Sequence, residues 1–320
     1  MYNSGITIDK IINEIKKFFN INVDIRKFTN DSSHSILFLI TDESNNKYIC
    51  KVIYDTALSA ISNCVKYEYN ALNIAYQQRL SPKPIYLNES LNLIIMEYID
   101  NVPYDKISFE SILVRLNLAE KLSLCKYYFD DFRKTHCDFE EDFKYHKYLL
   151  KEKDSWRECV DDIKRIEKIF INCEQFCMSK NYLLRELPLI LSHNDLVGDN
   201  VLHGKDGNYY IIDFETVGIS KPDYIIGQLA VDAKIDWHLH GTKAMKLMDL
   251  YDKLTANFKF SVPYDLFIAR IIERLIQNSV YALRQINLKK NADDKEYVNR
   301  KIKVLKYCLY KLENSIDLKL

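Results

Sequence analysis

Apolar residues recur every three or four positions across 7–19, "TIDKIINEIKKFF", so that Ile8, Ile11, Ile12, Ile15, Phe18 and Phe19 share one stripe and predict a helix. The pattern then changes to short β-type runs, "INVDIRKF", "HSILFLIT" and "KYICKVIY", the last two flanking the turn-rich "DESNN". Residues 58–79 return to a helical period, and "PIYLNESLNLIIMEYI" reads as a strand pair around an Asn-Glu-Ser turn. From residue 109 onward the pattern is helical: 109–134, 142–152, 157–180, 222–234, 242–257, 264–287 and 294–316. Two strands around "LSHNDLVGDN" and "YYIIDFE" interrupt that half, with "HGKDGN" supplying the turn residues of a hairpin. The predicted class is α+β: a small antiparallel sheet carrying one long helix, then a larger and mainly helical part. The seam is expected at "YIDNVPYDKI", dividing the chain into residues 1–98 and 99–320.

Composition narrows the function classes. The 320 residues are 48% hydrophobic and 28% charged, a globular balance. Lys plus Arg and Asp plus Glu both number 45, so no net field draws the chain to nucleic acid or to an anionic membrane. No apolar run approaches the roughly 20 residues of a membrane span, and the first residues lack a signal-peptide core. A cytoplasmic monomer or homodimer is the expectation. Eight cysteines are scattered without a Cys-x-x-Cys pair. Cys173 and Cys177 lie one helical turn apart, but no His or Cys stands nearby to complete a metal set, so buried thiols are expected.

The chemistry concentrates in two stretches. Asp195 and Asn200 share a loop after an apolar strand, and Asp213 follows the next strand, so folding the hairpin should gather two carboxylates and an amide. Hard oxygen ligands of this kind suit Mg²⁺, and a further carboxylate can orient a hydroxyl and take its proton. For any one of these residues alone, a turn cap is the favoured reading. As a set, "HNDLVGDN" fits H-x-D-L-x-x-x-N, and "DFE" stands where D-F-G would stand in a kinase. Lys51 lies near the end of its strand in "YICKV", Glu68 lies in the next helix in "KYEYNALN", and "IIMEYID" supplies a hinge-like segment containing Glu97 and Ile99.

These motifs resemble the aminoglycoside phosphotransferase and choline kinase superfamily, the small-molecule branch of the protein-kinase-like fold. "IIDFETVG" is similar to the D-[FW]-E-x-x-G of bacterial choline kinase and spore-coat kinase relatives. The resemblance implies a bilobal fold and an ATP- or GTP-dependent kinase acting on a small-molecule hydroxyl, with a cation such as an amino-sugar or choline among the acceptor classes. It implies that Asp195 is the base, that Asn200 and Asp213 are Mg²⁺ ligands, and that Lys51, positioned by Glu68, holds the phosphates. Glu97 and Ile99 would meet the nucleotide. His193 either braces the loop or is a satisfied core residue.

Two departures qualify the resemblance. No glycine occurs from residue 6 to 197, so a Gly-rich phosphate clamp is absent. "DSSHSI" takes its place, with Ser33 and its neighbours either facing phosphate or forming an ordinary polar turn. Pro222 starts a helix soon after Asp213, there is no A-P-E motif, and Asn194 replaces the Arg that grips an activation-loop phosphate. A phosphorylation-switched protein kinase is therefore disfavoured. Glu215, Asp232, Asp236 and Trp237 are candidates for acceptor contacts, and Glu215 could equally serve the metal. The alternatives are a kinase-like scaffold without catalysis, or a kinase acting on a protein or cell-envelope component.

Overall fold

The computed structural model of the chain describes residues 7–20, 22–28, 35–53, 64–106, 108–150, 160–232, 247–289 and 295–316. In chain order the elements begin α1 (Ile8–Phe19), β1 (Val23–Lys27), β2 (Ser35–Asp42), β3 (Lys47–Ile53), α2 (Cys64–Gln77), β4 (Pro84–Asn88), β5 (Leu93–Glu97) and β6 (Asn101–Val102). The helices α3 (Phe109–Ser123), α4 (Phe139–Leu150), α5 (Val160–Met178) and α6 (Asn181–Arg185) follow, then the short strands β7 (Ile190–Ser192), β8 (Val201–Gly204), β9 (Tyr209–Ile211) and β10 (Gly218–Ser220). The chain closes with α7 (Pro222–Asp232), α8 (Leu247–Thr255), α9 (Tyr264–Lys289) and α10 (Lys295–Ile316). The α+β class is as the hydrophobic pattern predicts. No helix among the described residues is long and apolar enough to cross a membrane.

The chain divides into two compact units. The first comprises Met1–Lys106, Lys121–Arg133 and Leu191–Gly218. Its antiparallel sheet has the order β1-β2-β3-β5-β4. Alternation along the strands sends Ile36, Phe38, Ile40, Cys50, Val52, Leu93 and Ile95 to one face, where Ile11 and Ile15 of α1 pack on them. The Thr7 hydroxyl caps α1 by accepting from the Lys10 N–H at 3.3 Å, and Asn20 ends it in the left-handed region with φ 50°. At the β4–β5 turn the Asn88 side chain accepts from the Leu91 N–H at 3.1 Å, and Asn92 supplies the positive φ. A second sheet, β6-β8-β9, is closed by the "HGKDGN" hairpin, with Gly207 at φ +83°.

The second unit comprises Ile107–Glu120, Lys134–Ile190 and Ile219–Leu320. Its core holds a polar centre as well as apolar packing. The fully buried Arg270 on α9 donates to Asp223 of α7 at 2.7 Å, to Asp142 of α4 at 2.7 Å and to Glu273 at 3.3 Å. Its guanidinium also lies 4.3 Å from the centroid of Phe139. His146 reaches Glu273 at 2.8 Å, and His136 reaches Asp142 at 2.8 Å. His136, Asp142 and Glu273 bring ligand atoms within 4.8 Å of one another. Arg270 already donates to both carboxylates, so their oxygens are engaged in a structural hub that joins the helices. Cys173 and Cys177 are fully buried free thiols, as expected, and burial pushes the Cys173 thiol up to about 12.

Several boundaries differ from those predicted. The helix expected over 109–134 ends at Ser123. The aromatic run behind it leaves the helical path: Tyr127 packs against Phe129 at 5.6 Å and Phe132 at 6.3 Å, and Phe132 lies 6.3 Å from Tyr67 of α2. The helix expected over 157–180 is described from Val160 and ends at Met178, with α6 a separate turn. Three short strands, β7, β8 and β9, replace the two predicted around the polar loops. The chain re-extends at Val201, after the loop, so the hairpin joins β8 to β9.

Candidate active site

Strand alternation determines where Lys51 goes. Cys50 and Val52 belong to the face covered by α1, so Lys51, which pairs across the sheet with Leu37 and Ile94, lies on the opposite face. On α2 the buried positions are Val65, Glu68, Ala71, Leu72 and Ala75, a helical stripe with one carboxylate in it. A carboxylate at a core position requires a charged or hydrogen-bonding partner. Lys51 provides it: its Nζ donates to both Glu68 oxygens at 3.0 Å.

Lys51 also donates to Asp213 through a short contact and to Glu215 Oε2 at 3.2 Å. One ammonium is thus shared by three carboxylates. The Lys51 side chain is 5% exposed, Glu68 0% and Glu215 15%, whereas Asp213 is 37% exposed. Asp213 is therefore the member of the group that most faces solvent. Burial alone would discharge Lys51, but Asp213, Glu68 and Glu215 outweigh it and hold the ammonium well above its ordinary range. Glu68 is pushed up to about 7, first by desolvation and then by repulsion from Asp213 and Glu215, with Lys51 pulling the other way. At Asp213 desolvation also acts upward, but the Lys51 ammonium wins and the carboxyl titrates below its ordinary value. With all four groups ionised the site carries one positive and three negative charges, a surplus that suits an additional cation.

The loop holding Asp195 and Asn200 is tied to the segment holding Asp213 by main-chain and side-chain bonds. The Ile212 N–H donates to the Asn200 carbonyl at 3.0 Å, while the neighbouring Ile211 N–H anchors to the Leu80 carbonyl, outside the loop, at 2.7 Å. Asn200 is buried, and its Nδ2 donates to the Asp195 carbonyl at 2.8 Å. A carbonyl only accepts, so the amide nitrogen must face it, which leaves the Asn200 oxygen as the end suited to a cation. The buried His193 has Nε2 2.9 Å from the Ile212 carbonyl and accepts from the Asp195 N–H on Nδ1 at 3.3 Å. Desolvation lowers its basicity, so the neutral ring donates from Nε2. His193 thus fits both roles open to it: its ring is buried with both nitrogens bonded, and those bonds brace the loop. Phe214 packs on that ring, the centroids 4.8 Å apart.

Asp213 itself sits at φ 64°, ψ 59°, in the left-handed region that Asp tolerates better than most residues. On the other side, segment 101–106 supports the loop: Tyr104 donates to the Gly198 carbonyl at 2.9 Å, and Lys106 pairs with Asp199 at 2.8 Å. A Cβ on Gly198 would lie 2.8 Å from the Lys106 Cβ and 3.0 Å from its carbonyl oxygen, so this contact requires glycine.

Structure thus joins Lys51, Glu68, Asp213 and Glu215 directly, and Asp195 to Asn200. Glu97 ends β5, where its N–H donates to the Lys83 carbonyl at 2.9 Å; Ile99 follows, half-buried, outside any helix or strand. Ser33, Asp236 and Trp237 lie outside the described residues, as does the side chain of Asp232 at the end of α7. Sequence reasoning missed Thr216, Asn194, Tyr104 and Lys106 as partners of the loop. The available signals were a hydroxyl immediately after "DFE" and an Asn, tolerant of positive φ, immediately before the Asp.

Comparison with known proteins bears on the family and the fold. Residues 24–236 match the family model described as "Phosphotransferase enzyme family". No curated protein matches in sequence. Among solved structures, choline kinase LicA from Streptococcus pneumoniae superposes with a TM-score of 0.64 at 15% identity, covering 95% of this chain and 99% of its own. Plasmodium vivax ethanolamine kinase gives a TM-score of 0.60 at 15% identity, with 96% and 90% covered. Spectinomycin phosphotransferase APH(9)-Ia, in complex with ADP and spectinomycin, gives 0.61 at 13% identity, with 97% and 99% covered. The fold is the one these kinases share.

Proposed function

The chain belongs to the phosphotransferase enzyme family, and from that premise we propose that it transfers the γ-phosphoryl group of ATP or GTP to a hydroxyl of a small molecule. The observation that carries this reading is the buried Lys51 ammonium, fixed by Glu68 at 3.0 Å and shared with Asp213 and Glu215. An ammonium so held stays charged and has little freedom left to lose when it meets phosphate oxygens.

In this proposal Asp195 orients the acceptor hydroxyl and takes its proton. Asn200 and Asp213 are the residues that would hold Mg²⁺, and their donor set fits it: an amide oxygen, a partly exposed carboxylate, and a surplus of negative charge around Lys51. Bound there, Mg²⁺ would neutralise charge on the transferring phosphates. Phosphoryl transfer asks mainly for positioning and electrostatics, which these side chains supply. Residues 1–98 would serve the nucleotide, with Ser33, Glu97 and Ile99 among the contacts, and residues 99–320 catalysis and the acceptor. Asp232, Asp236 and Trp237 are proposed on the acceptor side. Glu215, held on Lys51, is better assigned to the charged centre than to the acceptor. A cytoplasmic setting, where nucleoside triphosphates are maintained, goes with this chemistry.

The solved relatives are kinases of choline, ethanolamine and spectinomycin, so the acceptor panel begins with those compounds and adds other aminoglycosides, macrolides and simple sugars. Nucleotide consumption with Mg²⁺ is measured for the wild type, Asp195→Ala and Asp213→Ala. Loss of turnover by roughly 10²–10⁴ in Asp195→Ala is expected from removal of a general base, with Asp213→Ala inactive. Near-normal turnover in both variants would overturn the proposal.

A further inference from the structure

Asn194 and Thr216 belong to neither motif core, yet they bind each other's segments reciprocally. The Thr216 hydroxyl donates to the His193 carbonyl at 2.7 Å, and the Asn194 Nδ2 donates to the Thr216 carbonyl at 3.0 Å. Thr216 closes the short helical turn that begins at Phe214, next to Asp213; Asn194 immediately precedes Asp195. Asn194 is also in the left-handed region at φ 64°, the same value as Asp213; it is buried, Thr216 is half-buried, and both bonds are part-buried. The clasp therefore lies beside both carboxylates: Asn194 immediately precedes Asp195, and Asp213 lies three residues before Thr216.

We propose that Asn194 and Thr216 are positioning residues that hold the Asp195 loop in register with the Asp213 segment. The inference rests on the proposed roles of Asp195 and Asp213. The His193 ring makes a parallel tie, Nε2 to the Ile212 carbonyl at 2.9 Å, so the two segments are joined at three side-chain bonds over four residues. Removing the hydroxyl of Thr216 frees the His193 carbonyl, and with it the residue that orients Asp195 through its Nδ1. An error of that kind affects the step that needs both carboxylates at once and spares nucleotide affinity, to which Lys51 and Glu68 still contribute.

Four variants test this: Thr216→Val, near-isosteric without the donor; Thr216→Ser, which keeps it; Asn194→Gly, which keeps the backbone angle and loses the amide; and Asp195→Ala as control. Turnover is read with whichever of choline, ethanolamine, spectinomycin and kanamycin the wild type phosphorylates fastest, or with ATP hydrolysis by water if none is taken. Thr216→Val and Asn194→Gly should lower kcat roughly 10- to 100-fold, the scale of misplaced reacting groups, with KM for ATP within about 3-fold. Thr216→Ser should recover most of the loss. Hydrogen exchange over residues 193–200, measured in every variant, should quicken in Thr216→Val and return in Thr216→Ser. Normal kcat in Thr216→Val with Asp195→Ala inactive refutes the clasp alone, and so does unchanged exchange. An active Asp195→Ala refutes the functional reading beneath it. A rise in KM for ATP with kcat unchanged would make these residues nucleotide determinants and also overturn the proposal.

Discussion

Replacing Lys51 by Met tests the charged centre most directly. Each Glu68 oxygen lies 3.0 Å from Nζ, and at an effective dielectric of about 20 such a contact is worth about 5–6 kcal/mol of attraction. Desolvation of both groups cancels part of it, so the measured loss should be that of breaking a buried pair, about 3–5 kcal/mol. The size should depend on pH in a fixed direction. Glu68 has an ordinary value of 4.5 and is already raised to about 7 with Lys51 present; without the ammonium it rises further. A carboxyl raised on folding contributes stability below its unfolded value and loses it as pH climbs through the folded one. Wild type and variant both keep Glu68 protonated near pH 5.5, so the Lys51–Glu68 charge pair adds little to their difference there, and what remains is the loss of the ammonium from Asp213 and Glu215. Above about pH 7 only the wild type accommodates the ionised carboxylate, and the gap should widen by up to about 1.4 kcal/mol per pH unit. Urea unfolding followed by circular dichroism at about pH 5.5, 7 and 8.5 measures this, read from midpoints at constant m. The double variant Lys51→Met with Glu68→Leu should regain most of the stability at high pH. A loss that is flat across pH, or a double variant no better than the single one, would rule out a buried Lys51–Glu68 charge pair.

Three further outcomes follow from the geometry. Arg270→Met strands three buried carboxylates, Asp142, Asp223 and Glu273, and should cost at least about 3–5 kcal/mol in thermal or urea unfolding; Arg270→Lys should rescue little, because an ammonium cannot reproduce the planar fork. His193, lowered by burial from its ordinary 6.5, contributes stability that is present above that value and is lost as pH falls through its folded value; His193→Asn should flatten that acid limb in a pH series of melting temperatures. Gly198→Ala must displace the Lys106 backbone and should lower turnover roughly 10-fold or more, since small displacements of a catalytic loop are costly; an unchanged rate would show that the loop yields there.

The sheet, the long helix after it and the turn at Asn88 were legible because period-two alternation and Asx chemistry are local signals. Lys51 and Glu68 were legible as a pair through their order along the chain, and the structure adds why: each is the charged exception in an apolar face. The ends of α3 and α5 were not legible, because aromatic residues that suit a helix stripe pack equally well in the loop around Phe132. Nor was the sharing of Lys51 among three carboxylates, since Glu215 reaches it only after the backbone reverses at Asp213. The Arg270 hub was half legible: the sequence offers Glu273 an ion pair with Arg270 or Arg274, of which the structure makes the first, but Asp142 lies 128 positions from Arg270 and no periodicity announces it.

The hub has a consequence for how the second unit comes apart. Arg270 ties α4, α7 and α9 to one guanidinium, so no one of these helices can peel off without exposing an unpaired charge on its neighbours. Partial opening is therefore penalised, and the three should exchange their amide hydrogens as a single cooperative block.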